Sequence, residues 1–164
     1  MTLRQALEGL APEIWTDGPV SIRPLKTEAD MIYAAMDCQL TAEQQDMVNP
    51  AWFSIGRAYL RPADNLPCLI YADGEPVGFI NLGKWLAKGE AANSWSFFID
   101  KGRQGRGYGR RAAKLAIRIL KAADPEKPIK LATEESNEPA QRLYASLGFR
   151  LLPELDGDDL VFGL

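Results

Sequence analysis

Histidine is absent from the 164 residues. Its absence excludes Ser-His-Asp and Cys-His catalysis, imidazole general bases, and histidine-containing zinc or haem sites. Cysteine is nearly absent too: Cys38 and Cys68 stand far apart with no C-x-x-C. A four-thiolate metal site and a redox motif are therefore excluded. With no signal-peptide pattern at the start, both are expected as reduced thiols in a cytoplasmic protein. Long apolar runs are missing as well, since stretches such as Cys68–Tyr71 are strand-sized and a membrane span needs ~18 residues or more; no membrane partner is expected. Gly 14 and Pro 11 are too few for a low-complexity or collagen-like chain.

What is present reads as one packed domain. Hydrophobic residues make up 46% and charged residues 25%, enough to bury a core in a chain of this length. No repeat or long linker divides residues 1–164, and residues 1–18 read as an N-terminal helical extension. Net charge is −3, but its distribution is uneven. Residues 1–100 hold 7 basic and 13 acidic side chains, 101–130 hold 10 and 2, and 131–164 hold 2 and 7. A basic block in an acidic chain suggests a polyanionic ligand at one place and room for a cationic one at another. A pI near 5.1 does not match a nucleic-acid-binding domain.

Periodicity predicts an amphipathic helix over Thr2–Leu10, a strand at Val20–Arg23 ended by Pro24, and a helix over Thr27–Cys38 with Thr27 as cap. Residues 41–61 read as further helix, interrupted at Asn49-Pro50. The runs Leu66–Ala72 and Pro76–Leu82 form a hairpin across Asp73-Gly74-Glu75, and Ser94–Ile99 is a strand after a polar loop at Lys88-Gly89-Glu90. A helix over Tyr108–Ala123 follows, with Ala112, Leu115, Ala116, Ile119 and Ala123 as its apolar stripe. Ile129–Thr133 is a strand, Pro139–Leu147 a helix closed by Gly148, and Phe149–Leu155 with Asp159–Leu164 a hairpin. The class is α/β with a mixed sheet.

The densest chemical signal is Arg103-Gln104-Gly105-Arg106-Gly107-Tyr108-Gly109-Arg110-Arg111, a glycine turn between a strand and a basic helix. Glycines let the backbone approach a ligand closely, and a helix N-terminus favours phosphate oxygens. Two commoner phosphate motifs fail on spacing. G-x-G-x-x-G would need glycine at Arg110, and G-x-x-x-x-G-K would need lysine at Tyr108. A second signal is Asn137-Glu138-Pro139-Ala140-Gln141-Arg142-Leu143-Tyr144, continuing through Gly148-Phe149.

Together the two segments resemble the GNAT superfamily of acyl-CoA-dependent N-acyltransferases. Gln104, Gly107 and Gly109 match its Q/R-x-x-G-x-G/A signature, and Asn137, Ala140, Leu143, Tyr144, Gly148 and Phe149 match its N-x-x-A-x-x-L-Y-x-x-x-G-F pattern. The resemblance implies a mixed, mostly antiparallel twisted sheet of six to seven strands flanked by helices. That sheet would be splayed between its fourth and fifth strands, those ending at Ile99 and Thr133. Acetyl-CoA is the implied cosubstrate, with no metal. Backbone groups of Phe98 and Ile99 would bond its pantetheine arm, Gln104, Gly105, Arg106, Gly107, Tyr108 and Gly109 its pyrophosphate, and Arg103, Arg106, Arg110 and Arg111 would add charge. Asn137 would hold the arm, and Tyr144 would protonate the departing thiolate. Packing against Ala140 and Leu147 on its own helix is the competing role for Tyr144.

Attack on the thioester needs a neutral amine, and a primary alkylammonium has a pKa of about 10.4. Without histidine the base must be a carboxylate or a water chain. Some relatives carry an acidic residue on the strand before the glycine turn, where this chain reads Asn93-Ser94-Trp95-Ser96-Phe97. Glu90, Glu134 and Glu135 are the candidate carboxylates, each also readable as solvated surface. The stretch Phe97–Gly107 is also similar to bacterial diamine and polyamine acetyltransferases, which implies a small cationic amine as acceptor, with a homodimer compatible. A peptide or lysine acceptor is the alternative within the class, and a non-catalytic acyl-CoA sensor the alternative outside it. Calorimetry should show micromolar coenzyme A and acetyl-CoA binding, much weaker NAD and ATP binding, and loss of the coenzyme A signal in a folded Gly107→Glu variant; a preference for NAD or ATP overturns the assignment.

Overall fold

The computed structural model describes residues 1–85, 87 and 90–164; Lys88 and Gly89 of the expected polar loop lie outside them. The chain opens with α1 (Leu3–Glu8), closed at its start by reciprocal bonds between Thr2 and Gln5. Leu3 and Leu7 of α1 are buried in the main core. Strands β1 (Thr16–Asp17) and β2 (Val20–Pro24) lead to α2 (Glu28–Ile32). Its predicted cap forms: Thr27 Oγ1 accepts from the Asp30 N–H at 3.1 Å, and Asp30 Oδ2 accepts from the Thr27 N–H at 3.0 Å.

Two helical expectations change in the structure. The helix predicted over Thr27–Cys38 runs on after α2 as a wider π turn, Tyr33–Asp37. Residues 41–48 form successive turns, and only α3 (Ala51–Leu60) is helical. Pro50 keeps Asn49 out of the helical region. Residues Leu40, Gln44, Met47 and Val48 face a cavity, so no continuous apolar face is buried there to stabilise a helix.

The sheet is built by β3 (Asn65–Ala72), β4 (Glu75–Lys84) and β5 (Asn93–Ile99), antiparallel in the order β1-β2-β3-β4-β5. After α4 (Tyr108–Ala123) come β6 (Lys130–Thr133), α5 (Glu138–Ser146), β7 (Arg150–Asp156) and β8 (Asp159–Gly163), with a second sheet in the order β6-β8-β7. The described strands number eight, against the six to seven expected. The additional β1 has only two residues, too short for an alternating pattern, and exists through its pairing with Val20 and Ser21. The expected splay falls between the strands ending at Ile99 and Thr133, now β5 and β6.

Strand alternation divides the core into two. Cys68, Ile80 and Leu82 face α1 and α4, where the predicted stripe of Ala112, Leu115, Ala116 and Ile119 is fully buried; Ala123 is only partly so. On the other face the cross-strand neighbours Leu69, Phe79 and Phe98 pack with Ala34, Cys38 and Ala51 beneath α2 and α3. Among the described residues no helix is long and apolar enough to cross a membrane. Both thiols are free and buried. Burial pushes Cys38 up to about 12 and Cys68 upward as well. A thiol reagent such as DTNB should therefore label neither cysteine in the native protein at pH 8 and both after unfolding in guanidinium.

Candidate active site

Parallel neighbours β5 and β6 meet through one bridge, Asn93 with Ile129, and the Asn93 N–H donates to the Pro128 carbonyl at 2.9 Å. Beyond this point the sheets separate. A cavity of about 400 Å³ opens beside the β5 edge, between the start of α4 and the inner face of α5. Of the residues assigned from sequence, Phe98, Ile99, Gln104, Gly105, Gly107, Tyr108, Gly109, Asn137 and Tyr144 line it, with Arg103. Arg106 and Arg110 are exposed outside the lining, and Arg110 bonds Ser146 Oγ. Arg111 lies against the Gly18 turn, where a Cβ on Gly18 would stand 3.1 Å from its Nη1.

The glycine turn has the geometry that an anion site needs. Gly105 and Gly107 hold φ of 76° and 80°, a region that L side chains enter only with strain. No side chain caps α4, so the first N–H groups of a 16-residue helix are left to a ligand or water. A Cβ at either glycine would meet nothing within 4 Å. Their side-chain-free surface thus serves backbone conformation and close approach, not internal packing.

The Gln104 side chain is engaged within the protein. Its Nε2 donates to the Ile99 carbonyl at 3.0 Å and to Gln44 Oε1 at 2.8 Å, and Gln44 returns a bond of 3.1 Å. The side chain thereby ties the glycine turn to the 41–48 segment, leaving its backbone N–H for an anion. Asn137 caps α5, its Oδ1 accepting from Ala140 at 3.3 Å, while its Nδ2 has no partner among the described residues. Asp100 anchors the same wall from below, accepting from the N–H groups of Gln39 at 2.9 Å and Gly102 at 3.0 Å.

A second cavity, about 380 Å³, lies on the other side of the splay. It shares Met47, Val48, Phe97 and Tyr144 with the first. Four carboxylates, Asp46, Glu134, Asp156 and Asp159, line it against two cations, Arg57 and Lys84, and Lys84 is already paired with Asp64 at 3.1 Å. Asp159 is held above the usual carboxylate range, first by burial and then by the charges of Glu134, Asp156 and Asp158. Of the three candidate bases read from sequence, only Glu134 reaches this cavity; Glu90 and Glu135 are exposed away from it. Sequence reasoning missed Asp46, Asp156 and Asp159. The last two lie in a stretch that reads simply as a hairpin turn, and the net charge of −5 over residues 131–164 was the available signal.

Tyr144 stands where the cavities join. It is 8% exposed, packed between Phe149 and Phe162 at ring separations of 5.8 and 6.0 Å. Burial alone pushes its phenol up to about 12, which keeps it a neutral hydrogen-bond donor at any physiological pH and makes it a weaker acid than a free tyrosine. Packing against the two phenylalanines and lining both cavities are thus combined in one side chain.

Known proteins are similar to this chain in sequence or in fold. A probable spermine N(1)-acetyltransferase of Bacillus subtilis subsp. natto is 37% identical over 95 residues, 55% of this chain and 62% of that protein. The match thus spans less than two thirds of the relative's length. Among solved structures, an acetyltransferase from Agrobacterium tumefaciens superposes with a TM-score of 0.71 at 19% identity, covering 91% of this chain and 92% of that one. Mycobacterium smegmatis RimJ, solved in complex with CoA-disulfide, superposes with a TM-score of 0.67 at 22% identity over 88% and 81%. Residues 29–149, which hold both the glycine turn and the Asn137–Phe149 segment, match the family described as Acetyltransferase (GNAT), and the chain belongs to that family.

Proposed function

We propose that this chain transfers the acetyl group of acetyl-CoA to a primary amine of a small cationic acceptor, a diamine or polyamine, by direct attack in a ternary complex. The observation that carries the reading is the pair of cavities meeting at Tyr144, one beside an uncapped helix N-terminus, the other lined by four carboxylates. The residues fit the cosubstrate. The turn from Gly105 to Gly109 offers backbone N–H groups and room for a pyrophosphate, Arg103 lines the same cavity with its guanidinium paired to Glu75, and the open β5 edge and Asn137 Nδ2, without a partner among the described residues, suit the amides of a pantetheine arm. The relative's name specifies spermine, and a polyamine carries the charge that the acidic cavity favours.

Proton flow then assigns roles within the acidic cavity. An alkylammonium must shed a proton before its nitrogen attacks the acetyl carbon; the C–N bond forms, the C–S bond breaks, and the nitrogen loses a second proton. One proton ends on the thiol and one in solvent. Asp159 accepts the first, because its partial burial and carboxylate neighbours give it more basicity than an ordinary aspartate. Tyr144 supplies a proton or a hydrogen bond to the leaving sulfur. With a phenol near 12 against a thiol of about 8.5, full transfer is uphill, so stabilisation by hydrogen bonding carries much of the effect.

The function is tested by acetyl-CoA-dependent thiol release with polyamines, aminoglycosides, amino acids and peptides, where polyamines should give the highest kcat/KM. Binding of acetyl-CoA without turnover on any amine would instead indicate a sensor. Tyr144→Phe should lower kcat by roughly 10²-fold while acetyl-CoA affinity stays within a few-fold; an unchanged kcat would leave Tyr144 a packing residue. Asp159→Asn should act in opposite directions on rate and stability. A carboxylate held high in the folded state costs stability once pH rises through that value, so the variant should melt at a higher temperature at pH 7. Its kcat/KM should fall 10–100-fold and lose the acidic limb on which the wild-type rate rises as Asp159 ionises. Retention of that limb would move the base elsewhere.

A further inference from the structure

Helix α3 buries one face and leaves the other uncovered. Ala51, Ser54 and Ala58 point inward, whereas Trp52 is 64% exposed, Phe53 39%, Tyr59 85% and Leu60 78%. At 3.6 residues per turn these four side chains and Gly56 fall within about a third of the helix circumference. They line one shallow groove with Arg57. Gly56 is the unexplained member. A helix-interior glycine is destabilising, and a Cβ at this position would meet no atom of the chain within 4 Å. Internal packing does not require it, so the residue is small for something that approaches from outside.

We infer that α3 is the dimerisation element of this protein, packing antiparallel on α3 of a second copy about a two-fold axis at Gly56. An isologous contact demands a self-complementary patch, and this one qualifies. Residues equally distant before and after the axis face each other, so Trp52 meets Leu60 of the partner subunit and Phe53 meets the partner subunit's Tyr59. Apolar groups oppose apolar groups at these four positions, with Arg57 and Arg61 at the rim.

The area is sufficient. At ~200 Å² per aromatic side chain the three rings expose roughly 400 Å², and Leu60 with the arginine stems adds about half as much. With all of it buried on both copies this comes to about 1,200 Å², the lower bound for a stable specific interface, so the contact must use the whole patch. Charge does not oppose the contact at its centre. Arg57 lies 4.9 Å from the centroid of its own Phe53 ring and lines both this groove and the acidic cavity, so its guanidinium can turn to the cavity when the groove is covered. Arg61 also lines the groove, at its rim, where it follows the last residue of the helix five positions from the axis. Arg57 also places the dimer contact beside the acceptor cavity.

Sedimentation velocity on the intact chain at about 10–100 μM tests the assignment independently of catalysis. The wild type should sediment as a dimer at the upper concentration, and Tyr59→Glu and Leu60→Glu should each sediment as monomers with an unchanged circular dichroism spectrum. Gly56→Gln should weaken association at least tenfold without lowering the melting temperature, because it adds bulk at the axis while improving helix propensity. A monomeric wild type at 100 μM overturns the inference. A dimer that survives Tyr59→Glu and Leu60→Glu also overturns it, since its interface then lies elsewhere.

Discussion

One backbone bridge, Asn93 with Ile129, joins β5 to β6, and the two strands part immediately after it. Strand edges carry polar groups that must be paired, solvated or offered to a ligand. The separation therefore creates both a slot and the hydrogen-bonding surface inside it. Everything assigned to the site depends on that slot. The glycine turn lies at one end of β5, Asn137 lies just beyond the end of β6, and Tyr144 occupies the gap where the cavities communicate. Pairing β5 fully with β6 would close the sheet and remove the cleft.

The slot needs a second wall, and residues 38–50 supply it without regular structure. They are held from two directions. Asp100, at the end of β5, accepts the Gln39 N–H, and Gln104, at the glycine turn, exchanges bonds with Gln44. The end of β5 and the glycine turn thus brace the segment that borders both cavities. Phe98 contributes from the opposite direction, packing on Phe79 at 5.8 Å within the smaller core beneath α3. The two cavities and the outer helix are thus joined through a few side chains.

The basic block that the sequence presents as one feature divides in space. Arg103 stays at the cleft and is paired with Glu75 at 2.7 Å. Arg111 turns to Gly18. Arg118 donates to the backbone carbonyls of Glu13, Ile14 and Thr16, pinning the N-terminal segment to α4. A guanidinium with five donors suits that task. Local charge density therefore overstated the ligand-facing charge, since part of it satisfies backbone carbonyls of the N-terminal segment.

What the sequence determined by itself was whatever short-range physics controls. The span of α4 followed from its apolar stripe, the Thr27 cap from side-chain reach, and the β3–β4 hairpin from Asp73-Gly74. The glycine turn was legible for the same reason, because a positive φ at Gly107 is a demand on one residue type, whereas the Asn137–Phe149 segment was legible through its match to a family pattern, and its Asn137 cap emerged only in the structure. The tertiary structure alone decided the rest. Asp46, Glu134, Asp156 and Asp159 come from three separate segments and acquire a shared meaning only around one cavity. Residues 41–48 have a helical composition yet form turns, since helix there would require a packed surface where the cleft leaves open space. The raised affinity of Asp159 for its proton is likewise a property of assembled neighbours. Burial and convergence of charge depend on distances between segments remote in the chain, and no local pattern encodes those distances.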